Sequence, residues 1–574
     1  MSDCINKDKD NISVVICGAA GQGIQTVEMI LTKICKLNGY NIFATREFMS
    51  RIRGGINSTE IRVSSKPVKN YVSNIDILIP LNEGAIPHLS KRINDESIII
   101  GEEKNIDNSN ISNKCKILNV NFSKIAKDIG GKIYGNIIAT GLISGLLEIK
   151  KSILTEYIKK FFSSKEKEII ENNKKAILKG YDLGSNFLKN KEIKLNLNTN
   201  SEVEDHIVIN GAEAVGLGSL AGGCNFISSY PMSPSTAVLV FLSEHMKDFD
   251  IVSEQAEDEI SAINMGLGAW YAGGRAMITT SGGGFALMNE GLSLAGMIES
   301  PMVFHLAQRP GPATGLPTRT EQGDLLFSIF AGHGEFPRVI YAPGTLEDAF
   351  YLTQKAFNIA DKFQVPVIIL TDQYLMDSYY NLEAFDFSEI INDEYIVKTD
   401  EGYKRYELND EGVSPRGVPG YGDGLVMVDS DEHNEFGKIT ENFDVRVKMV
   451  DKRLRKLDLG DDFISPEFVG SKDYTFLILC WGTNYHVVKE AINELNDDRF
   501  AILYFKQVYP LPTDIREEIN NNSKLILVEN NATAQFGMIL KLFSDIQIDH
   551  KILKYNGLPF SVEEIVESLR GIIK

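Results

Sequence analysis

The residues whose types and spacing can do chemistry fall mainly between positions 205 and 375. Near the start of this stretch come Gly211-Ala212-Glu213-Ala214-Val215-Gly216 and then Tyr230-Pro231-Met232-Ser233-Pro234-Ser235-Thr236. Two prolines in a hydroxyl-rich loop fix the backbone, and the last hydroxyls are placed to cap a helix starting near Ala237. Hydroxyls held at a helix start suit a carboxylate or a phosphate. Next comes Glu254-Gln255-Ala256-Glu257-Asp258-Glu259, ahead of a small-residue helix over 260–271. Carboxylates this dense repel one another in a dry site, so most should face water while one can point inward. After a strand over 276–280 comes Ser281-Gly282-Gly283-Gly284, which leaves room for a ligand above the end of a buried strand. After a strand over 301–306 comes Gln308-Arg309-Pro310-Gly311-Pro312-Ala313-Thr314-Gly315-Leu316-Pro317-Thr318-Arg319. Prolines and glycines pose arginines and threonines there, and an arginine fork grips a carboxylate bidentately.

The N-terminal stretch carries a second, less specific set. A strand over 12–17 runs into Gly18-Ala19-Ala20-Gly21-Gln22-Gly23, followed by an amphipathic helix over about 25–38. Strand, glycine turn and helix start together can meet an anion. No acidic residue stands where a ribose would need one, so a tight turn explains these glycines equally well. Ser50-Arg51-Ile52-Arg53-Gly54-Gly55 reads as a structural or interface feature. The cysteines, at 4, 17, 35, 115, 224 and 480, form no Cys-x-x-Cys pair. They read as buried apolar side chains, and any cysteine-held iron–sulfur cluster is expected on another subunit.

The elements that position these residues are short Ile- and Val-rich runs without strict alternation, at 12–17, 75–79, 97–100, 276–280, 301–306, 365–371, 475–480, 501–505 and 525–529. Such runs suit strands buried on both faces of a parallel sheet, so the fold class is multidomain α/β. Polar residues over about 190–206 read as a linker. The expected blocks are 1–190, 205–375 and 471–574, with 376–470 an irregular connection rich in Gly, Pro and charge. At 574 residues the chain is long enough for roughly three to five domains. A net charge of −19 argues against a nucleic-acid partner. No run approaches the roughly 18 apolar residues of a membrane span, and the polar start is no secretory signal, so a cytoplasmic protein is expected.

Together these motifs resemble the α subunit of 2-oxoacid:ferredoxin oxidoreductases, in the form with a γ-type domain fused ahead, as in the 2-oxoglutarate enzymes. The likeness rests on Gly18–Gly23, Arg53-Gly54-Gly55, 230–236, 257–259, 280–284 and 309–318. Glu432-His433-Asn434-Glu435-Phe436-Gly437, Glu529-Asn530-Asn531 and Gly537 add to it. The resemblance implies a γ-type domain, a thiamine-diphosphate pyrimidine-binding domain and a transketolase C-terminal-like domain. It implies decarboxylation of a 2-oxoacid on the thiazolium carbon, electrons leaving through an iron–sulfur cluster to ferredoxin, and acyl transfer to CoA. Diphosphate, Mg²⁺ and the 4Fe-4S cluster would sit on a β subunit, in an αβ heterodimer or a dimer of αβ pairs, and no metal site is expected on this chain.

By the same resemblance Glu259, nine residues before Gly268, is the glutamate that hydrogen-bonds the aminopyrimidine, with Glu257 as fallback. Burial beside an apolar ring favours the protonated form of such a carboxyl. Gly282, Gly283 and Tyr230 would line the cofactor. Arg309 would grip the substrate carboxylate, while Thr318 and Ser233 would contact substrate. Arg319 and Arg275 are candidates for reading a second carboxylate. The fused arrangement favours 2-oxoglutarate, with branched 2-oxoacids or pyruvate as alternatives. Outside this chemistry stand a nucleotide-binding redox module and a noncatalytic assembly subunit.

Overall fold

A computed structural model describes residues 5–7, 10–19, 23–50, 55–107, 109, 111–112, 114–388, 390–456, 458–513, 515–517, 519–520 and 522–573. The chain divides into two compact units. The first comprises Met1–Ile209, Asp377–Ala384 and Ser561–Glu563; the second comprises Asn210–Met376, Phe385–Phe560 and Glu564–Lys574. The Arg53-Gly54 motif and Ala20–Gln22 of the first glycine turn lie outside the described residues.

The first unit is built on an eight-stranded sheet. Lys116–Asn119, Ile98–Gly101, Ile77–Pro80 and Asn11–Ala19 run parallel. Ile56–Ser64 and Asn41–Glu47 follow antiparallel, and Tyr379–Leu382, from the long connection, pairs antiparallel on Asn41–Glu47. The sheet is therefore mixed, because two successive strands turn back directly without a crossover helix. Helices Gly135–Leu146 and Lys167–Lys189 pack at very close range. A Cβ on Gly141, Gly145, Gly180 or Gly184 would lie 2.0–2.2 Å from a carbonyl oxygen of the facing helix. Glycines spaced four apart put one bare stripe on each helix, and the two stripes meet.

The second unit carries two sheets. In the first, the order is Val252–Gln255, Phe226–Ser229, Ala276–Thr280, Met302–Gln308, Pro366–Asp372, Val339–Tyr341 and Gln507–Tyr509. All pairs are parallel except the last. The second sheet runs Glu467–Gly470, Phe500–Phe505, Phe476–Trp481, Lys524–Glu529 and His550–Leu553, parallel but for its first strand. Strand Gln507–Tyr509 thus completes the sheet begun by residues some 280 positions earlier, and ties the C-terminal block to the preceding one. Cys17, Cys35, Cys115, Cys224 and Cys480 are free and buried.

The connection over 376–470 carries the helix Phe443–Arg455. Much of it is fastened by charge. Buried Glu299 receives Lys452 Nζ at 2.6 Å and Lys456 Nζ at 2.5 Å, while Arg405 donates to its carbonyl oxygen at 2.7 Å. Burial opposes its ionisation, yet Lys456, Lys452 and Arg405 hold the Glu299 carboxyl well below the usual carboxylate range. Asp361 receives Arg416 at 2.5 Å and Arg275 at 3.1 Å. The family-like stretch 432–437 belongs to this fastening. Glu432 accepts from Arg453 at 2.9 Å and Arg446 at 2.6 Å, and fully buried His433 packs on Tyr406 with ring centres 3.9 Å apart. Removing one member of a buried ionic cluster leaves uncompensated charge. Glu299→Ala is therefore expected to lower unfolding free energy by about 3–5 kcal/mol in denaturant titration; a loss below about 0.5 kcal/mol would show that the cluster fastens nothing.

Candidate active site

The seven-stranded sheet delivers the chemically interesting side chains to one edge, the carboxyl ends of its parallel strands, where open α/β sheets bind ligands. Helix Glu259–Tyr271 begins after the strand Val252–Gln255. Its cap is Asp258, whose Oδ1 accepts the Ser261 amide at 2.7 Å. Glu254, Glu257 and Asp258 are exposed, and Glu259 alone turns inward, 3% exposed. One carboxyl of the acidic run is thus desolvated while the others named face water. Its Oε1 is buried without a hydrogen-bond partner. A buried carboxyl oxygen without a donor is costly in isolation and marks where a ligand group can bind.

Strand Ala276–Thr280 leads into the glycines. They do not form an open loop: Gly282–Leu287 is a short helix that starts at Ser281. Glycine is needed because carboxyls and a hydroxyl press against the turn. A Cβ on Gly284 would stand 2.7 Å from Glu259 Oε1 and 2.2 Å from Thr280 Oγ1, and one on Gly282 would stand 2.5 Å from Asp324 Oδ2. Gly283 is exposed beside them.

Strand Met302–Gln308 ends at a fully buried glutamine and delivers Arg309. Gln308 donates to the Thr371 carbonyl at 3.1 Å and accepts the Asp324 amide at 2.9 Å, so it locks the strand end to the following loop. Arg309 is half-buried and donates through Nη1 to the Ser233 carbonyl at 2.7 Å. Partial burial lowers its affinity for a proton, against the pull of Asp324. Arg309 and Ser233 are therefore brought together, through the serine backbone, while the Ser233 side chain is exposed. The hydroxyl expected to cap the next helix does something else. Ser235, fully buried at the start of Thr236–Glu244, makes no cap and donates to the Met232 carbonyl at 2.7 Å. Tyr230 is 41% exposed, and Thr318 is half-buried in the loop after Arg309. Arg275 sits at the opposite, amino end of its strand and spends its donors on Asp361, Asn358 and two carbonyls. It is a fastening of the connection, not a substrate cation.

Residues the sequence did not single out complete the edge. Asp324 looks like an ordinary helix cap ahead of Leu325–Phe330, yet its side chain makes no cap hydrogen bond and its Oδ2 is buried and unpartnered. Gln322 is a hub between the two sheets of this unit. It accepts from Asn484 at 2.7 Å and from the Asn530 amide at 3.0 Å, donates to the Trp481 carbonyl at 3.1 Å, and its carbonyl accepts from Asn531 at 3.0 Å. Asn530 and Asn531 therefore serve an internal junction. Beside them Glu529, pushed by burial up to about 7, accepts the Phe536 amide. Among the described residues no group of three or more His, Cys, Asp and Glu side chains is arranged to hold a metal ion.

A buried glutamate whose Oε1 has no donor, at the carboxyl end of a parallel sheet beside a glycine turn and an anchored arginine, forms a candidate ligand site. Residues 217–452 match the family model described as pyruvate flavodoxin/ferredoxin oxidoreductase, thiamine-diphosphate-binding, and residues 13–183 match that of pyruvate ferredoxin/flavodoxin oxidoreductase. The chain is 32% identical to a 2-oxoacid:ferredoxin oxidoreductase subunit alpha of Sulfolobus sp, over 98% of this chain and 97% of that one. It is 31% identical to the 2-oxoglutarate synthase subunit KorA of Archaeoglobus fulgidus, over 63% of this chain and 98% of that one. A solved structure of the 2-oxoglutarate:ferredoxin oxidoreductase from Magnetococcus marinus, with 2-oxoglutarate, coenzyme A and succinyl-CoA bound, superposes with a TM-score of 0.92 at 29% identity, covering 99% of this chain and 100% of that one. The chain belongs to the 2-oxoacid:ferredoxin oxidoreductase α-subunit family.

The contacts separate two glycines on neighbouring elements. Gly284→Ala forces Glu259 or Thr280 to move and is expected to abolish cofactor-dependent activity. Gly268→Ala meets nothing within 4 Å and should raise helix stability by about 1 kcal/mol. Activities and melting curves of the two variants check this; a fully active Gly284→Ala would contradict the packing.

Proposed function

We propose that this chain is the pyrimidine-binding half of a thiamine-diphosphate-dependent oxidoreductase that converts a 2-oxoacid and CoA to an acyl-CoA and carbon dioxide, passing an electron pair to ferredoxin. The observation that carries this reading is Glu259 Oε1, buried, without a donor, and against a turn where only glycine fits. The names of the relatives favour 2-oxoglutarate, giving succinyl-CoA. Thiamine diphosphate, when bound, supplies the carbanion and the electron sink.

The residues present fit its aminopyrimidine. Glu259 accepts or donates at the ring nitrogen and thereby governs the proton on the exocyclic amine. Gly282, Gly283 and Gly284 admit the ring against the sheet edge, and Tyr230 borders it; Glu257, being exposed, is the weaker candidate for the proton. Arg309, its guanidinium braced by the Ser233 carbonyl, holds the substrate carboxylate. Thr318 and the Ser233 hydroxyl border the substrate, and Arg319 is the remaining candidate for a distal carboxylate. The partner β subunit holds diphosphate, Mg²⁺ and the 4Fe-4S cluster, as an αβ heterodimer or a dimer of such pairs in the cytoplasm. No helix among the described residues is long and apolar enough to cross a membrane.

The first unit offers a place for the nucleotide end of CoA. A crevice of about 1230 Å³ opens at the carboxyl ends of its parallel strands, lined by Gly23, Asn82, Lys104, Ser123, Lys132 and Lys165. Helix starts and lysines there suit phosphates.

The test is anaerobic coexpression with the β-type subunit and measurement of CoA-dependent viologen reduction across a panel of 2-oxoacids. Preference for 2-oxoglutarate is expected; preference for another acid moves the specificity, and no reduction from a fully loaded complex overturns the reading. Glu259→Gln should assemble normally yet lose turnover. Arg309→Lys should keep assembly and raise KM for the oxoacid by about tenfold or more, since losing a bidentate charged contact costs about 1.5–3 kcal/mol.

A further inference from the structure

Where the long connection meets the seven-stranded sheet's helices, the interior is positively charged, although the whole chain carries −19. Arg405, Arg416, Lys452 and Lys456 are all buried, and the buried carboxylates they pair with are Glu299 and Asp361. Lys452 and Lys456 share Glu299, and Arg416 shares Asp361 with Arg275. Arg405 pairs with no carboxylate: it donates to Gln364 Oε1 at 2.7 Å and to the 298 and 299 carbonyls at 3.5 and 2.7 Å. A dry interior tolerates such unbalanced charge poorly. Arg405 and Arg416 both line a cavity of about 20 Å³, together with Trp270, Tyr271, Ser300 and Val428. Arg416, 3% exposed, donates through Nη1 to the Trp270 carbonyl at 3.1 Å and through Nη2 to Asp361 at 2.5 Å. Its Nε is buried without a partner. No carboxylate lines the cavity, and its side-chain hydroxyls are engaged. Ser300 donates to the Pro301 carbonyl at 3.0 Å and Tyr271 to the Val426 carbonyl at 2.9 Å.

We infer that this cavity is a binding site for one small monovalent anion of halide size, held by the Arg416 Nε–H beside Arg405. A single water needs roughly 10–15 Å³, so the space takes one species of that order and excludes a large organic anion. Charge and donor chemistry select an anion over water. A buried water settles where two to four polar partners converge, acceptors among them. Here cations and apolar rings predominate, and an anion also offsets the excess charge. Burial lowers the hold of the Arg416 guanidinium on its proton; Asp361 opposes this, and Arg405 and Arg275 add to it. An anion relieves that crowding of like charge. Arg405, Arg416 and Val428 belong to the connection, while Trp270, Tyr271 and Ser300 belong to the domain before it. The anion is therefore a further fastening of the connection, at the opposite end of helix Glu259–Tyr271 from Glu259.

Crystals of the αβ complex grown or soaked in bromide test the site directly. An anomalous difference peak in contact with Arg416 Nε is expected; no peak there, with Nε bonded to water alone, overturns the inference. Melting curves of the same complex supply a solution readout, in chloride and in gluconate at equal ionic strength. Chloride should raise the melting temperature by about 2 °C or more and saturate with concentration, as binding to the folded state requires. Gluconate, far too large for the cavity, should give no such rise. Equal curves in the two salts mean binding at crystal concentration only and overturn the inference. Val428→Leu adds a methylene at the cavity wall without touching a charge, so it should abolish both the peak and the chloride-specific rise. A full chloride response in Val428→Leu overturns the inference. Arg416→Lys keeps the charge and loses the Nε donor, so it should raise the half-saturating chloride concentration by about tenfold or more. If Arg416→Lys fails to fold, the bromide map and Val428→Leu still decide.

Discussion

The second unit depends on one constraint: the turn Gly282–Gly284 is squeezed between side chains that need its missing Cβ atoms. Glu259 and Thr280 close on one end and Asp324 on the other. Each carboxyl keeps an oxygen with no protein donor. Desolvating a carboxyl without giving it a hydrogen bond lowers stability, and such a cost is retained where function uses it. The neighbouring elements hold the arrangement in place. Asp258 caps the Glu259 helix, Gln308 pins the Asp324 amide, and Gln535 takes the amide Asp324 leaves. The local backbone amides are thus satisfied by neighbouring side chains, while one oxygen of each carboxyl keeps no protein donor.

The long connection shows the complementary strategy. Beside its buried apolar side chains, it is fastened through Glu299, Asp361 and Glu432 to cations spread along its sequence. Buried ion pairs add little net stability but penalise wrong registers heavily, which suits a segment of irregular backbone that must follow one path. The stretch 432–437 acts in that path and not at the sheet edge.

Much of the architecture was legible in the sequence because strands buried on both faces must be Ile- and Val-rich runs, and those runs fell where the sheets are. That most carboxyls of the run 254–259 face water followed from repulsion, and burial singles out Glu259 as the one turned inward. Three things were not legible. That a helix starts at Gly282 was not apparent, because nothing local shows it. Asp324 was not singled out, because the unpartnered state of its carboxyl depends on Gln535, more than 200 residues away in sequence. Arg275 read as a candidate cation because its partners, Asp361 and the 393 carbonyl, meet it only in the folded unit. In each case the missing information is a contact between distant segments, which spacing and composition do not encode.

The central claim is that Glu259 addresses the aminopyrimidine of thiamine diphosphate. A cryo-EM or crystal structure of the αβ complex with thiamine diphosphate tests it most directly. The account predicts a pyrimidine nitrogen within about 3 Å of Glu259 Oε1, with the ring over Gly284. A ring bound elsewhere, with Glu259 Oε1 satisfied by a protein donor or water, would contradict it.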